Sequence, residues 1–272
     1  KVGQLWHRWA SSHSASYPVF PEAAVSLESI ARPLSVFFRA GGGPAGVAVV
    51  SVAARTSSHR LNLRQRLGFD EETLDLARLD EESLLLPPTI ALFSDTRLNR
   101  DLYFWLVALL AATPASACFH DPLRQDISSL RQINAAILLA LDQFPGLRRR
   151  YSTLQREMLA IRPGRSLPPA EEAIEAVIRR LLGAAQSLPE DAAAYYEAVM
   201  NPTISLRPFQ APPNYRQPLP VPLWANLNHL GTVSGQNIAD DDGVVPNPTA
   251  NEQTQHKRKA ERRRQDQSEL DD

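Results

Sequence analysis

Apolar positions recur at helical spacing through most of the first 200 residues and then give out. In Val2–Trp9, Val2, Leu5, Trp6 and Trp9 predict one or two amphipathic turns. Pro21–Ala40 predicts a helix with Leu27, Ile30, Leu34, Phe37 and Phe38 on one face. Pro33 is expected in its first turn, where a missing N–H costs least, and Gly41-Gly42-Gly43-Pro44 ends it. Gly46–Ala54 is rich in β-branched residues and predicts a strand. Thr73–Leu79 and Leu84–Phe93, the latter broken at Pro87-Pro88, add two more extended pieces, together a small antiparallel sheet.

The remainder of the patterned region predicts helices. Leu86–Ala112 runs from two prolines through a polar turn into a strongly apolar helix, capped by Asp95 or Asn99. A helix this apolar must be covered on most sides, so it is the expected centre of the core. Asp126–Phe144 places Leu130, Ile133, Ile137, Leu138 and Leu141 at helical spacing, with Asp126 as N-cap and Pro145-Gly146 as its stop. Leu147–Ile161 carries Tyr151, Leu154, Met158 and Ile161 in the same way. Pro168 and Pro169 open a helix over Ala170–Leu182, with Glu171 and Glu172 where the helix dipole favours them. Gly183 closes it, and Asp191–Met200 forms a last short helix.

The fold class expected is therefore mainly α with a small antiparallel β element: a helical domain, then a proline-rich arm and a disordered linker. Residues 1–200 form the helical domain and 201–230 the arm, with seven prolines between Pro202 and Pro222 and Leu219, Val221, Leu223 and Trp224 as anchors. Residues 231–272 have linker composition, with Asp240–Asp242 and the Lys257–Arg264 run set in polar filler. A trailing linker, and a first residue that is lysine, suggest a piece of a longer protein.

Charge and composition narrow the function. The net charge of −1 argues against wholesale nucleic-acid or membrane-surface binding. The single cysteine, Cys118, rules out a disulfide framework, fits a cytoplasmic protein and reads as a buried small residue. The longest apolar stretch, Leu102–Ala115, is broken by Pro114 and too short to span a bilayer.

No set of residues carries visible chemistry. The triple glycine lacks a following Lys-Ser/Thr and a helix, so it is no phosphate loop. His7, His13, His59, His120, His229 and His256 are scattered without metal-ligand spacing. Asp126-Ile127-Ser128-Ser129-Leu130 lacks the last serine of a metal-adhesion motif. Ser234 is not in a nucleophile elbow. The Asp70–Glu72 and Asp80–Glu82 runs read as solvated turns, since nothing apolar nearby would raise a carboxyl pKa. The Lys257–Arg264 run reads as a spacer. The catalytic, cofactor and metal sets are therefore expected to be empty. The candidate contacts for a protein partner are Arg148, Arg149, Arg150, Arg162 and Arg165, a basic helix face, with Trp224 of the arm.

Six segments occur in an order that resembles one family: VGQLWHR (2–8), PEAAVSLESIARPLSVFFRA (21–40), LPPTIALFSDTRLNRDLYFWLVALLAA (86–112), FPGLRRRY (144–151), RPGRSLPPAE (162–171) and VPLW (221–224). They are similar to the N-terminal domain of the CbbO/NorD proteins, von Willebrand factor A-containing partners of MoxR-type AAA+ ATPases. The resemblance implies a non-catalytic adaptor on a hexameric CbbQ-like ring, with ATP and magnesium in the ring and a metal-adhesion site in a missing C-terminal domain. The CbbO branch, which reactivates inhibited Rubisco, is favoured. The alternatives are a NorD-like factor that activates nitric-oxide reductase and a helical metal-dependent hydrolase fragment.

Overall fold

A computed structural model describes residues 16–43, 46–52, 76–79, 83–112 and 119–226. The helices among them are α1 (Leu27–Ala40), α2 (Thr96–Ala111), α3 (Pro122–Gln143), α4 (Arg148–Ile161), α5 (Pro169–Leu181) and α6 (Glu190–Met200). The strands are short: β1 (Val25–Ser26), β2 (Ala48–Ser51), β3 (Arg78–Leu79), β4 (Ser83–Leu86) and β5 (Thr89–Ile90). The chain is mainly helical with a small β element, as its periodicity predicts. The readings on Val2–Trp9, the two acidic runs, Cys118 and the 231–272 linker lie outside the described residues.

α1 forms because Leu27, Ile30, Leu34 and Phe38 recur on one face, and all four are buried. It begins six residues before Pro33, so the proline sits inside the helix and not in its first turn. The end follows from the glycines. Gly42 takes φ +85, and the N–H groups of Gly42 and Gly43 return to the carbonyls of Arg39 and Phe38 at 3.1 and 3.0 Å. That pair of bonds is a Schellman closure, which a residue with a Cβ would strain.

α2 is the centre of the core. Leu102, Tyr103, Trp105, Leu106, Val107, Ala108, Leu109 and Leu110 are all buried. α1, α3 and α4 pack around it. Asp95 is its N-cap, accepting from the Arg97 N–H at 2.8 Å. Asn99 is not a cap. It is wholly buried and ties three segments together: Oδ1 accepts from the Phe93 N–H at 2.9 Å, and Nδ2 donates to the carbonyls of Phe93 and Ala23, both at 2.8 Å.

The β element departs from the all-antiparallel expectation. β1 pairs antiparallel with β5, while β2 runs parallel to the central β4 and β3 antiparallel to it. Leu84, Leu85 and Leu86 of β4 are buried, which explains the continuous apolar run. Pro87 and Pro88 turn the chain out of β4, and their carbonyls accept from the Tyr103 hydroxyl (2.8 Å) and the Leu27 N–H (2.9 Å).

α3 starts four residues before its predicted edge, with Asp121 as N-cap to Arg124 N–H at 3.0 Å and Pro122 at the first helical position. Asp126 is therefore in the second turn, buried, and caps nothing. α5 and α6 pack on α3 and on each other. No helix among the described residues is long and apolar enough to cross a membrane.

Candidate protein-docking face

The proline-rich segment after α6 determines which of the predicted contact residues are free. Proline has no N–H, so a chain rich in it cannot pair its carbonyls through a regular ladder, and side chains take many of them. Donors come from α2, from α3, from the end of α4 and from Tyr17. Arg131 reaches the carbonyl of Ile204 at 2.6 Å, and Arg124 those of Arg207 and Phe209 at 2.8 and 2.7 Å. Arg162 takes Leu219 at 2.9 Å, Tyr17 takes Pro220 at 3.0 Å and Trp105 takes Leu223 at 3.0 Å. Two N–H groups of the arm meet carboxylates: Ala211 donates to Asp121 at 3.0 Å and Arg216 to Glu171 at 3.2 Å. Tyr215 donates its hydroxyl to Asp126 at 2.7 Å. Val221, Leu223, Trp224 and Ala225 are buried where the arm ends, and Asn226 N–H donates to Ala77 at 2.7 Å.

Arg162 and Trp224 are therefore corrected: neither is at the surface. Arg162 is 3% exposed. It forms a two-pronged pair with Glu175 at 2.8 and 2.6 Å and donates to the Tyr17 hydroxyl at 2.6 Å. Burial alone would lower the guanidinium's pKa, but Glu175 and the Tyr17 oxygen outweigh it and the net shift is upward. The Tyr17 hydroxyl is pushed up to about 12, chiefly by burial. Arg179 also reaches Glu175, at 2.8 Å, so one carboxylate serves two arginines. Trp224 is 4% exposed and closes the core beside the arm's last turn.

Arg148, Arg149 and Arg150 are exposed, and they occupy the first turn of α4. A helix N-terminus carries partial positive charge, so three arginines there are disfavoured by roughly 0.3–1 kcal/mol each. α4 has neither a side-chain cap nor an acidic residue in that turn to offset them. Arg150 is held at 3.2 Å from Asp101 on α2. Arg165 is exposed but lies beyond the opposite end of α4, away from the other three, and Arg156 pairs with Glu157 at 3.2 Å.

Sequence reasoning missed two members of this face, Arg97 and Arg100, both exposed in the first turns of α2. Their spacing with Asp101 and Phe104 places them on one helix side, a signal present in the chain but masked by the apolar run that follows. The Arg100 guanidinium lies 6.0 Å from the centre of the Phe104 ring. Phe104 meets Phe37 edge-on at 5.5 Å, and Phe37 meets Phe144 at 5.0 Å. Phe144 leads through a single 3-10 turn, Pro145–Leu147, into Arg148. These contacts run from α2 through α1 to Phe144 at the end of α3, and the Arg150–Asp101 pair ties the start of α4 to α2.

Among the described residues no group of three or more His, Cys, Asp or Glu could hold a metal ion, and His120 is exposed.

No family model and no solved structure matches the chain. Curated relatives do. A Brucella abortus protein named NorD is 40% identical over 267 residues, which is 97% of this chain and 40% of the relative. NorD of Stutzerimonas stutzeri is 38% identical over 66% of the chain and 28% of its own length. An uncharacterized Pseudomonas aeruginosa protein is 34% identical over 82% of the chain and 31% of its own length. The relatives' name overturns the CbbO branch, and with it the CbbQ-like MoxR-type ring as partner, Rubisco as client and a role in carbon fixation. The matches lend no support to a following von Willebrand factor A domain. The chain spans less than half the length of these relatives, and over 97% of its own residues it is related to the NorD proteins.

Proposed function

We propose that this chain is the helical part of a NorD-type factor that acts in the activation of nitric-oxide reductase, and that it contributes protein contacts and no catalysis. The observation that carries this reading is the 40% identity to NorD over nearly the whole chain. The physical character of the surface supports a binding role. The buried charged groups, Arg162, Glu171 and Asp126, are engaged in holding the arm, while the arginines of α2 and α4 stay at the surface. A charged group used for chemistry needs a cleft that excludes water, and the exposed arginines have none.

A chimera tests the reading. The matching segment of Brucella abortus NorD is replaced by this chain and expressed in a denitrifying strain that lacks its own NorD. Restored nitric-oxide consumption is the expected result. A chimera that is produced and folded but leaves the reductase inactive, where unmodified NorD restores it, overturns the proposal.

A further inference from the structure

Five exposed arginines, Arg97, Arg100, Arg148, Arg149 and Arg150, lie in the first turns of α2 and α4, which the Arg150–Asp101 pair brings together, and only Arg150 is paired with a described carboxylate. The acidic groups on the neighbouring turns are few. Asp101 is the partner of Arg150, Asp95 caps α2, and Asp142 lies in the last turn of α3. The face is thus positive in excess of what its own fold uses. Three of its charges also oppose the dipole of the helix that bears them. A local rule broken without a compensating partner inside the molecule points to a partner outside it. Beside Arg100 lies the partly exposed Phe104 ring, which meets the partly exposed Phe37 ring edge-on.

We propose that this face docks an acidic segment of a partner protein, with carboxylates on Arg97, Arg100, Arg148 and Arg149 and one apolar side chain seated against the Phe104 and Phe37 rings. Arginine forks suit carboxylates in pairs. The apolar anchor separates this surface from a general polyanion site, because a phosphate backbone would use the charges and leave the rings uncovered. The proposal does not depend on which enzyme the factor serves.

The full chain is tested against a fluorescein-labelled synthetic peptide of aspartates and glutamates around a central Phe-Leu pair. Binding at low salt that weakens as salt rises is expected. Arg148→Glu with Arg149→Glu should weaken it about tenfold or more and flatten the salt dependence, mainly through the on-rate. The matched control, Arg165→Glu with Arg180→Glu, reverses two exposed arginines away from this face and should bind like the native chain. Exchanging Phe-Leu for Gly-Ser in the peptide should also weaken binding. No binding by the native chain at low salt overturns the proposal. So does an equal loss in the control variant, or a Gly-Ser peptide or single-stranded oligonucleotide of equal charge that binds as well as the Phe-Leu peptide.

Discussion

The indole N–H of Trp105, midway along α2, donates to the carbonyl of Leu223 at 3.0 Å across 118 residues of chain. The same indole stacks on Tyr151 of α4 with ring centres 4.2 Å apart. One side chain thus joins the central helix, the helix that bears the arginines and the end of the arm. Removing the arm would leave an indole N–H and a core face uncovered, so arm and helices form one cooperative unit.

Trp105→Ala should lower stability by ~3–5 kcal/mol, since a fully buried aromatic is lost. Trp105→Phe keeps most of the packing but orphans the Leu223 carbonyl, and should cost about 1–3 kcal/mol. Urea unfolding measures both. Limited proteolysis should show the Trp105→Phe chain cut first after Leu219, where the arm is released. A loss under ~1 kcal/mol for the alanine variant would contradict the packing described.

Asn99 is the second such junction. Asn99→Ala strands the Phe93 N–H and two carbonyls at once, each buried polar group costing about 1–3 kcal/mol. Asn99→Asp keeps the acceptor but turns the donor to Phe93 and Ala23 into a second acceptor, and should be at least as damaging. Thermal unfolding of the two variants gives the order, and an aspartate variant as stable as the native chain would refute the assigned hydrogen bonds.

These junctions explain how far the chain could be read in advance. The face of α1 and the burial of α2 are legible because periodicity is a local property, and Leu27, Leu34 and Leu102 declare it within a turn or two. Asn99 and Arg162 are not, because what fixes them is distant: Ala23 for one, Tyr17 and Leu219 for the other. In the chain Arg162 simply continues a basic run, and only the fold separates it from Arg148. Asp126 was open to confusion with a cap, yet Asp121-Pro122 held the better signal, a capping residue before a proline. The parallel pairing of β2 with β4 joins segments more than thirty residues apart in register, which no local pattern encodes. In the docking face the arginines of α4 are readable as a run, whereas Arg97 and Arg100 join them only through Asp101 and Phe104.

The Arg162–Glu175 pair predicts an asymmetry. Glu175→Ala leaves a buried guanidinium with only neutral acceptors, the Tyr17 and Leu219 oxygens, and should cost about 3–5 kcal/mol. Arg162→Met leaves Glu175 still paired with Arg179 at 2.8 Å, so it should cost less. The double variant Arg162→Met with Glu175→Leu should recover part of the glutamate variant's loss. A double-mutant cycle by urea unfolding checks the order, and equal losses for the two single changes would show that Arg179 does not share the carboxylate.

Asp126 gives the last prediction, in pH. Burial raises its carboxyl to about 6 from 3.8, against the hydrogen bonds from Tyr215 and Gln217, which favour the charged form, while Asp121 adds to the rise. A raised pKa means that the folded chain holds the proton more tightly than the unfolded one. The stability from the protonated form is then fully present below about pH 4 and is lost as pH rises toward 6. Above that the carboxylate is charged in both states, and the fold bears the cost of burying it. Asp126→Asn is neutral throughout and still accepts from the Tyr215 hydroxyl. It should therefore stabilise the chain near neutral pH, by at most about 3 kcal/mol for a shift of about two units, and give little or no gain at acid pH. The measurement is the difference in unfolding free energy between native and variant chains across the acid range, where the other carboxylates cancel. A difference that stays flat with pH would mean that Asp126 titrates in the folded chain as it does in the unfolded one, and the Tyr215 bond would then have to offset burial in full.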